Sequence, residues 1–140
     1  MRRRDGNDAR VGEYDLAVQG VDGGDGGAGY GRRVAGVPVI FEGVPETMEA
    51  KVPTFALISK HADPAAIVAS TTSTILSNDL QKHVANPGRF LNAHWLNPAY
   101  LVPLVELSPG DDTDPEATER LKDLLERIGK VPVVCKASPG

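Results

Sequence analysis

Four residues of this chain combine reactive side chains with positions at which chemistry is done: Ser73, His94, Asn97 and Glu106. Each falls just after or beside the end of a segment that reads as a β-strand. Ligands of open α/β sheets bind outside the carboxyl ends of the strands. A histidine at such an end, with a carboxylate on a neighbouring strand, suits a general base held in one tautomer by its partner. The same two residue types also describe a structural histidine beside a surface glutamate, and type alone leaves both readings open. A second motif, Gly24-Asp-Gly26-Gly-Ala-Gly29, satisfies the G-x-G-x-x-G pattern of dinucleotide-binding loops. That pattern cradles a pyrophosphate only when a strand precedes it, a helix opens on it and an acidic residue follows about 20 positions on. Here Gln19-Gly-Val-Asp22 lies upstream and a helix has little room before Val37. The match is therefore read as a chance product of glycine density, and Gly24, Gly26 and Gly29 are expected to bind no pyrophosphate.

The elements that would position these residues follow from apolar patterning. Val37-Pro-Val-Ile-Phe41, Ala66-Ile-Val-Ala69 and Val131-Pro-Val-Val134 are short apolar runs that read as buried parallel strands. Arg89 to Trp95 and Val102 to Leu107 are further strands, separated by Asn97-Pro98. Glu46 to Lys60 reads as a helix with Met48, Val52, Phe55 and Ile58 on one side, and Pro53 is expected to kink it or delay its start. The hydroxyl cluster Ser70-Thr71-Thr72-Ser73-Thr74 follows the second run, and Ser77 or Asn78 can cap a short helix reaching Val84. Asn86-Pro87-Gly88 is a turn. Thr113-Asp114-Pro115-Glu116 reads as a helix start with a hydroxyl cap and a proline in the first turn. Ala117, Leu121, Leu124, Leu125 and Ile128 continue at helical spacing, and Gly129 stops the helix. Strands alternating with helices predict an α/β fold, a mainly parallel sheet covered by helices.

Composition sets the outer bounds. The 140 residues amount to one domain, and 41% apolar with 24% charged residues is an ordinary balance. Ten of the fifteen glycines, with six arginines and six acidic residues, fall in residues 1–36. Such a stretch buries too little apolar surface to offset its ordering entropy. Residues 1–36 are therefore expected to be a disordered tail, with Tyr14 to Val18 the only short strand it offers. A net charge of −4 argues against nucleic acid as a partner, and 5% aromatic residues are too few for a stacking platform. No run approaches the roughly 18 apolar residues of a membrane span, and the basic Met1-Arg2-Arg3-Arg4 lacks the apolar segment of a secretory signal. The expectation is a cytoplasmic protein with no membrane partner. One cysteine, Cys135, excludes a disulfide framework and a multi-cysteine zinc site, and no metal is expected. His61 and His83 lie in polar segments and match nothing catalytic, and Trp95 reads as packing.

Three blocks together carry a resemblance: Ile67-Val-Ala-Ser-Thr-Thr-Ser73, then Asn86-Pro-Gly-Arg-Phe-Leu-Asn-Ala-His94-Trp-Leu-Asn97-Pro98, then Pro103-Leu-Val-Glu106. They resemble NAD-dependent L-3-hydroxyacyl-CoA dehydrogenases, as do Phe41-Glu-Gly-Val-Pro-Glu46, Gly129-Lys-Val-Pro-Val-Val134 and Pro139-Gly140. The likeness covers about residues 37–140, and the steps of 21 residues from Ser73 to His94 and 12 from His94 to Glu106 match the family's spacing. The resemblance implies that His94 takes the proton of a substrate 3-hydroxyl as hydride leaves for NAD, and that Glu106 orients the imidazole and stabilises the imidazolium. Ser73 would hydrogen-bond the oxygen at the reacting carbon and border the cofactor, and Asn97 would help position the substrate. Glu46 and Lys51 would lie near the nicotinamide ribose, against a plain reading of both as a solvated helix face. The implied fold is an incomplete Rossmann-like sheet, residues 37–140, lacking the first βαβ unit and the C-terminal helical domain through which the family dimerises. The implied substrate is an L-3-hydroxyacyl-CoA, oxidised to the 3-ketoacyl-CoA, with a complementing chain as partner. The alternative is a non-catalytic remnant, or an accessory protein akin to the crystallin-like members of the family.

Overall fold

The computed structural model describes residues 8–11, 14–19 and 34–136. Within these, seven strands form one sheet in chain order: β1 (Asp8–Val11), β2 (Tyr14–Gln19), β3 (Val39–Glu42), β4 (Ile67–Ser70), β5 (Phe90–Trp95), β6 (Leu104–Pro109) and β7 (Val131–Val134). Strands β2 to β5 run parallel, β6 runs against β5, and β7 is again parallel to β6. The sheet is thus mainly parallel, as the alternating pattern predicts, and Rossmann-like, as the family resemblance implied. Helix α1 (Met48–His61), the short α2 (Ser77–Leu80) and α3 (Pro115–Arg127) flank it.

Side chains alternate across a strand, so each strand feeds both faces. Val39, Phe41, Ile67, Ala69, Leu91, Ala93, Val105 and Leu107 form one core with Ala117, Leu121, Leu124 and Leu125 of α3. Ile40 and Phe90 point the other way, into a second core with Phe55 and Ile58 of α1 and Leu80 of α2. Each fully buried leucine of α3 contributes about 1.5–3 kcal/mol. The residues that alternate with the first core, among them Glu42, Ser70, Asn92, His94 and Glu106, therefore share the face that carries α1.

Several local expectations are corrected. The short strand expected at Tyr14 to Val18 is present as β2, and an unexpected β1 pairs with it: Asp8 to Val11 run antiparallel to Tyr14 to Ala17, and Leu16 to Gln19 pair in parallel with Val39 to Glu42. Ladder hydrogen bonds to an existing edge order this backbone, which a composition argument based on apolar burial does not count. Gly24, Gly26 and Gly29 lie outside the described residues. Helix α1 starts at Met48 with Thr47 as its cap, two residues later than expected, and continues through Pro53. Neither Ser77 nor Asn78 caps α2; Leu76 occupies that position. Asp114 rather than Thr113 is the N-cap of α3, because the Thr113 hydroxyl is spent donating to the Phe90 carbonyl and accepting from Gly110 N–H. Strand β7 is not buried: it is a sheet edge with Val131, Val133 and Val134 about half exposed.

The C-terminus of α3 behaves as its glycine predicts. Gly129 takes φ 86°, its N–H reaches the Glu126 carbonyl at 3.0 Å, and Lys130 N–H reaches the Leu125 carbonyl at 2.9 Å. This is the paired closure of a Schellman turn. A Cβ at Gly129 meets nothing within 4 Å, so only the backbone conformation penalises a side chain there. Gly129→Ala is expected to destabilise the fold by about 1–2 kcal/mol, and Gly129→Asn by less; urea unfolding of both variants checks this.

Candidate active site

His94 is the fifth residue of β5 and Glu106 the third of β6, and the antiparallel register sets them directly opposite each other. Opposed side chains on one face of such a pair lie within contact distance, and His94 Nδ1 lies 3.0 Å from Glu106 Oε2. Both groups remain partly open to solvent, at 27% and 41% exposure. With Nδ1–H donating to the carboxylate, Nε2 carries the free lone pair and is the atom able to accept a proton.

The loop after β4 supplies the second half of the site. Ser73 is exposed, and its N–H donates to Glu46 Oε2 at 3.4 Å. Glu46 also accepts from the hydroxyls of Thr72 and Thr74. Partial burial raises the affinity of Glu46 for its proton. The Thr72 hydroxyl, the Lys51 charge and the backbone N–H groups of Ser73 and Thr74 outweigh this and hold the carboxyl below its ordinary 4.5. Asn92, next but one to His94 on the same face of β5, donates from Nδ2 to the Thr72 carbonyl at 3.0 Å. That bond ties the Ser73 loop to the strand carrying the histidine. Asn97 is exposed at the start of the β5–β6 loop, preceding a cis proline at 98.

Lys51 is where the plain reading fails. It is 1% exposed rather than part of a solvated face, and its Nζ donates to Glu42 Oε1 at 2.8 Å and to the Val44 carbonyl at 3.3 Å. Its charge reaches Glu46 through the protein, whereas its ammonium is closed off from solvent. Glu42 is itself fully buried, with Oε1 also accepting from Val44 N–H at 2.8 Å and Oε2 from Ser70 Oγ at 2.6 Å. The sequence reasoning missed Glu42, Ser70 and Asn92 as parts of the site. The available signal was polar residues at the end of an otherwise apolar strand: Glu42 directly after Val-Ile-Phe, and Ser70 directly after Ile-Val-Ala.

Residues 25–138 match the family model for the NAD-binding domain of 3-hydroxyacyl-CoA dehydrogenase. This chain belongs to that family. Its NAD-binding domain is the part represented, and the chain spans between about a fifth and a third of the length of the curated relatives it matches. It is 43% identical over 104 residues to an L-carnitine dehydrogenase of Mesorhizobium japonicum, covering 74% of this chain and 29% of that protein. A solved 5-formyl-3-hydroxy-2-methylpyridine 4-carboxylic acid 5-dehydrogenase, described as an NAD+-dependent dismutase, superimposes with a TM-score of 0.76 at 36% identity, covering 79% of this chain and 36% of that one. The 3-hydroxybutyryl-CoA dehydrogenase of Escherichia coli K12 superimposes with a TM-score of 0.73 at 32% identity, covering 76% and 22%. The family model and the dismutase support NAD as the cofactor.

The donors and acceptors present fit the nicotinamide-ribose half of that cofactor. Glu46 is a carboxylate kept ionised beyond the carboxyl end of β3, the Ser73 hydroxyl is exposed, and Asn92 Oδ1 is buried with no hydrogen-bond partner among the described residues. A buried acceptor left open suits a ligand that brings its own hydroxyl or amide donors. Among the described residues no helix is long and apolar enough to cross a membrane.

Two expectations test this geometry. Because its folded-state value is depressed, Glu46 stabilises the site above its ordinary value, and this contribution is lost as pH falls through the lower one. Carbon-13 NMR titration is expected to find the Glu46 midpoint below 4.5 and Thr72→Val to move it upward. Separately, Lys51→Met leaves the Glu42 carboxylate buried without its cation, and urea unfolding is expected to show a loss of about 3–5 kcal/mol. The double variant Glu42→Gln, Lys51→Met should recover part of it.

Proposed function

We propose that this chain carries the acid–base pair and the nicotinamide-side residues of a dehydrogenase that oxidises the 3-hydroxyl of a 3-hydroxy acid or its thioester to a ketone. The observation that carries this reading is the direct opposition of His94 and Glu106 at the open, carboxyl end of the parallel strands. His94 Nε2 takes the hydroxyl proton as the carbon–hydrogen bond breaks. Glu106, bonded to Nδ1, holds the ring in the tautomer that exposes Nε2 and offsets the positive charge that forms on the imidazole. Ser73 donates to the oxygen of the reacting carbon, and Asn97 positions the remainder of the substrate from the β5–β6 loop. Glu46 accepts hydroxyl donors of the nicotinamide ribose, and Lys51 keeps that carboxylate ionised from beneath. NAD, when bound, supplies the hydride acceptor.

Two substrate classes fit this chemistry. The higher identity to the L-carnitine dehydrogenase supports a free 3-hydroxy acid of the L-carnitine type, and this is the preferred reading. The family model and the 3-hydroxybutyryl-CoA dehydrogenase support oxidation of an L-3-hydroxyacyl-CoA to the 3-ketoacyl-CoA.

NADH formation by the purified chain, with L-carnitine and with 3-hydroxybutyryl-CoA offered separately, tests both. His94→Gln is expected to lower turnover roughly 10²–10⁴-fold, the contribution of a positioned base. Glu106→Gln is expected to lower it by a smaller factor, and the double variant by less than the product of the two, because the pair acts as a unit. Undiminished turnover in His94→Gln would sink the mechanism.

A further inference from the structure

Lys130 sits in the turn between α3 and β7, outside every role assigned so far. Its Nζ donates to the Ala99 carbonyl and lies 3.5 Å from the Val102 carbonyl. The same ammonium stands 5.3 Å from the centre of the Trp95 ring, within cation–π range. Trp95 in turn packs edge-on against Phe41 at 5.7 Å. These contacts fall on the last residue of β5 and on the middle and end of the β5–β6 connection, residues 96–103, whose two flanking strands carry His94 and Glu106. Asn97 lies within that connection.

The attachment of Lys130 is itself rigid. Its N–H closes the end of α3 on Leu125, and Val131 N–H bonds the Pro103 carbonyl at 2.9 Å. The amine therefore projects from a fixed turn onto a loop that has few other anchors: Leu101 and Val102 N–H return to the Pro98 carbonyl within the loop, while Tyr100 and Leu101 are 85% and 70% exposed. One cation gathering two carbonyls and a ring face replaces the strand pairing that the loop lacks.

We propose that Lys130 is a positioning residue for the dehydrogenase site, acting from the face of the sheet opposite His94. It holds residues 96–103 so that Asn97 keeps a fixed place relative to the His94–Glu106 pair. The consequence for catalysis rests on the function proposed above; the ordering of the loop does not.

Trp95 is the single tryptophan of the chain, so its fluorescence reads the contact directly. Lys130→Met keeps the apolar stem and removes the charge and donors, while Lys130→Arg restores both. In Lys130→Met, acrylamide quenching of Trp95 is expected to rise about twofold, and NMR relaxation of the Asn97 amide to report new fast motion. Lys130→Arg is expected to return both towards the parent values. Unchanged quenching and relaxation in Lys130→Met would overturn the proposal. So would loosening spread evenly over the sheet, because that describes a general loss of stability. In the dehydrogenase assay, KM for the hydroxy substrate is expected to rise about tenfold in Lys130→Met, with KM for NAD unchanged. Equal rises in both would reduce Lys130 to a structural residue and overturn its positioning role. A parent chain without turnover would count against the proposed function, and quenching and relaxation would still decide whether Lys130 orders the loop.

Discussion

A carboxylate with no access to water must find all its partners inside the protein, and Glu42 is such a carboxylate. Its two oxygens take the Lys51 ammonium, the Val44 N–H and the Ser70 hydroxyl. Those bonds join the end of β3, the end of β4 and the first turns of α1, which are the parts that form the floor of the site. Ser70 Oγ then accepts from Thr72 N–H, and the Thr72 hydroxyl donates to Glu46. The chain of contacts runs outward from a fully buried ion to an exposed one. Each link fixes the orientation of the next, so the loop bearing Ser73 has little freedom to relax into another arrangement.

A second constraint is strand direction. Parallel strands deliver their carboxyl ends to one edge of the sheet, which collects Glu46 and Ser73 but cannot by itself set two side chains face to face in one ladder. Reversing β6 against β5 does so, since antiparallel register opposes His94 and Glu106 on the face shared with α1. The apolar residues between them, Ala93 and Trp95 on β5 with Val105 and Leu107 on β6, turn to the other face and pack on or beside α3. The site is thus built by alternation, one face of each strand supplying the chemistry and the other the core that holds it.

Much of this was legible in the residues. The apolar runs located β3, β4 and β5 to within a residue or two, and the leucine spacing with Gly129 located α3 and its end. The twelve-residue step from His94 to Glu106 spans a loop and two strand segments, and the two side chains meet as the family resemblance implied. What stayed hidden has common physical causes. Lys51 and Glu42 are nine residues apart, a separation that matches no helical or strand neighbour rule, so their pairing is purely tertiary. Strand β7 has the composition of a buried strand and lies at the sheet edge, because burial depends on which neighbours exist and not on hydrophobicity alone. Strand β1 lies in a glycine- and charge-rich stretch with no apolar run to mark it, and it forms by pairing with β2. Thr113 is a sound cap by type, but the Phe90 carbonyl claims its hydroxyl.

The two ion pairs of the site separate stability from function. Lys51–Glu42 is buried, with three further hydrogen bonds to its members, so removing either partner strands a charge or a donor in the core. His94–Glu106 is partly exposed, and pairs of that kind contribute about 0–1 kcal/mol to folding. The fold therefore has little need of His94 and Glu106 as a pair, and their opposition is not explained by stability. A histidine and a carboxylate held at 3.0 Å, near the carboxyl ends of the parallel strands, is the arrangement that the proposed acid–base role uses. Under the proposed function, the buried pair beneath Glu46 and the loop-gathering amine of Lys130 act alike: each links the core to groups that are themselves open to solvent.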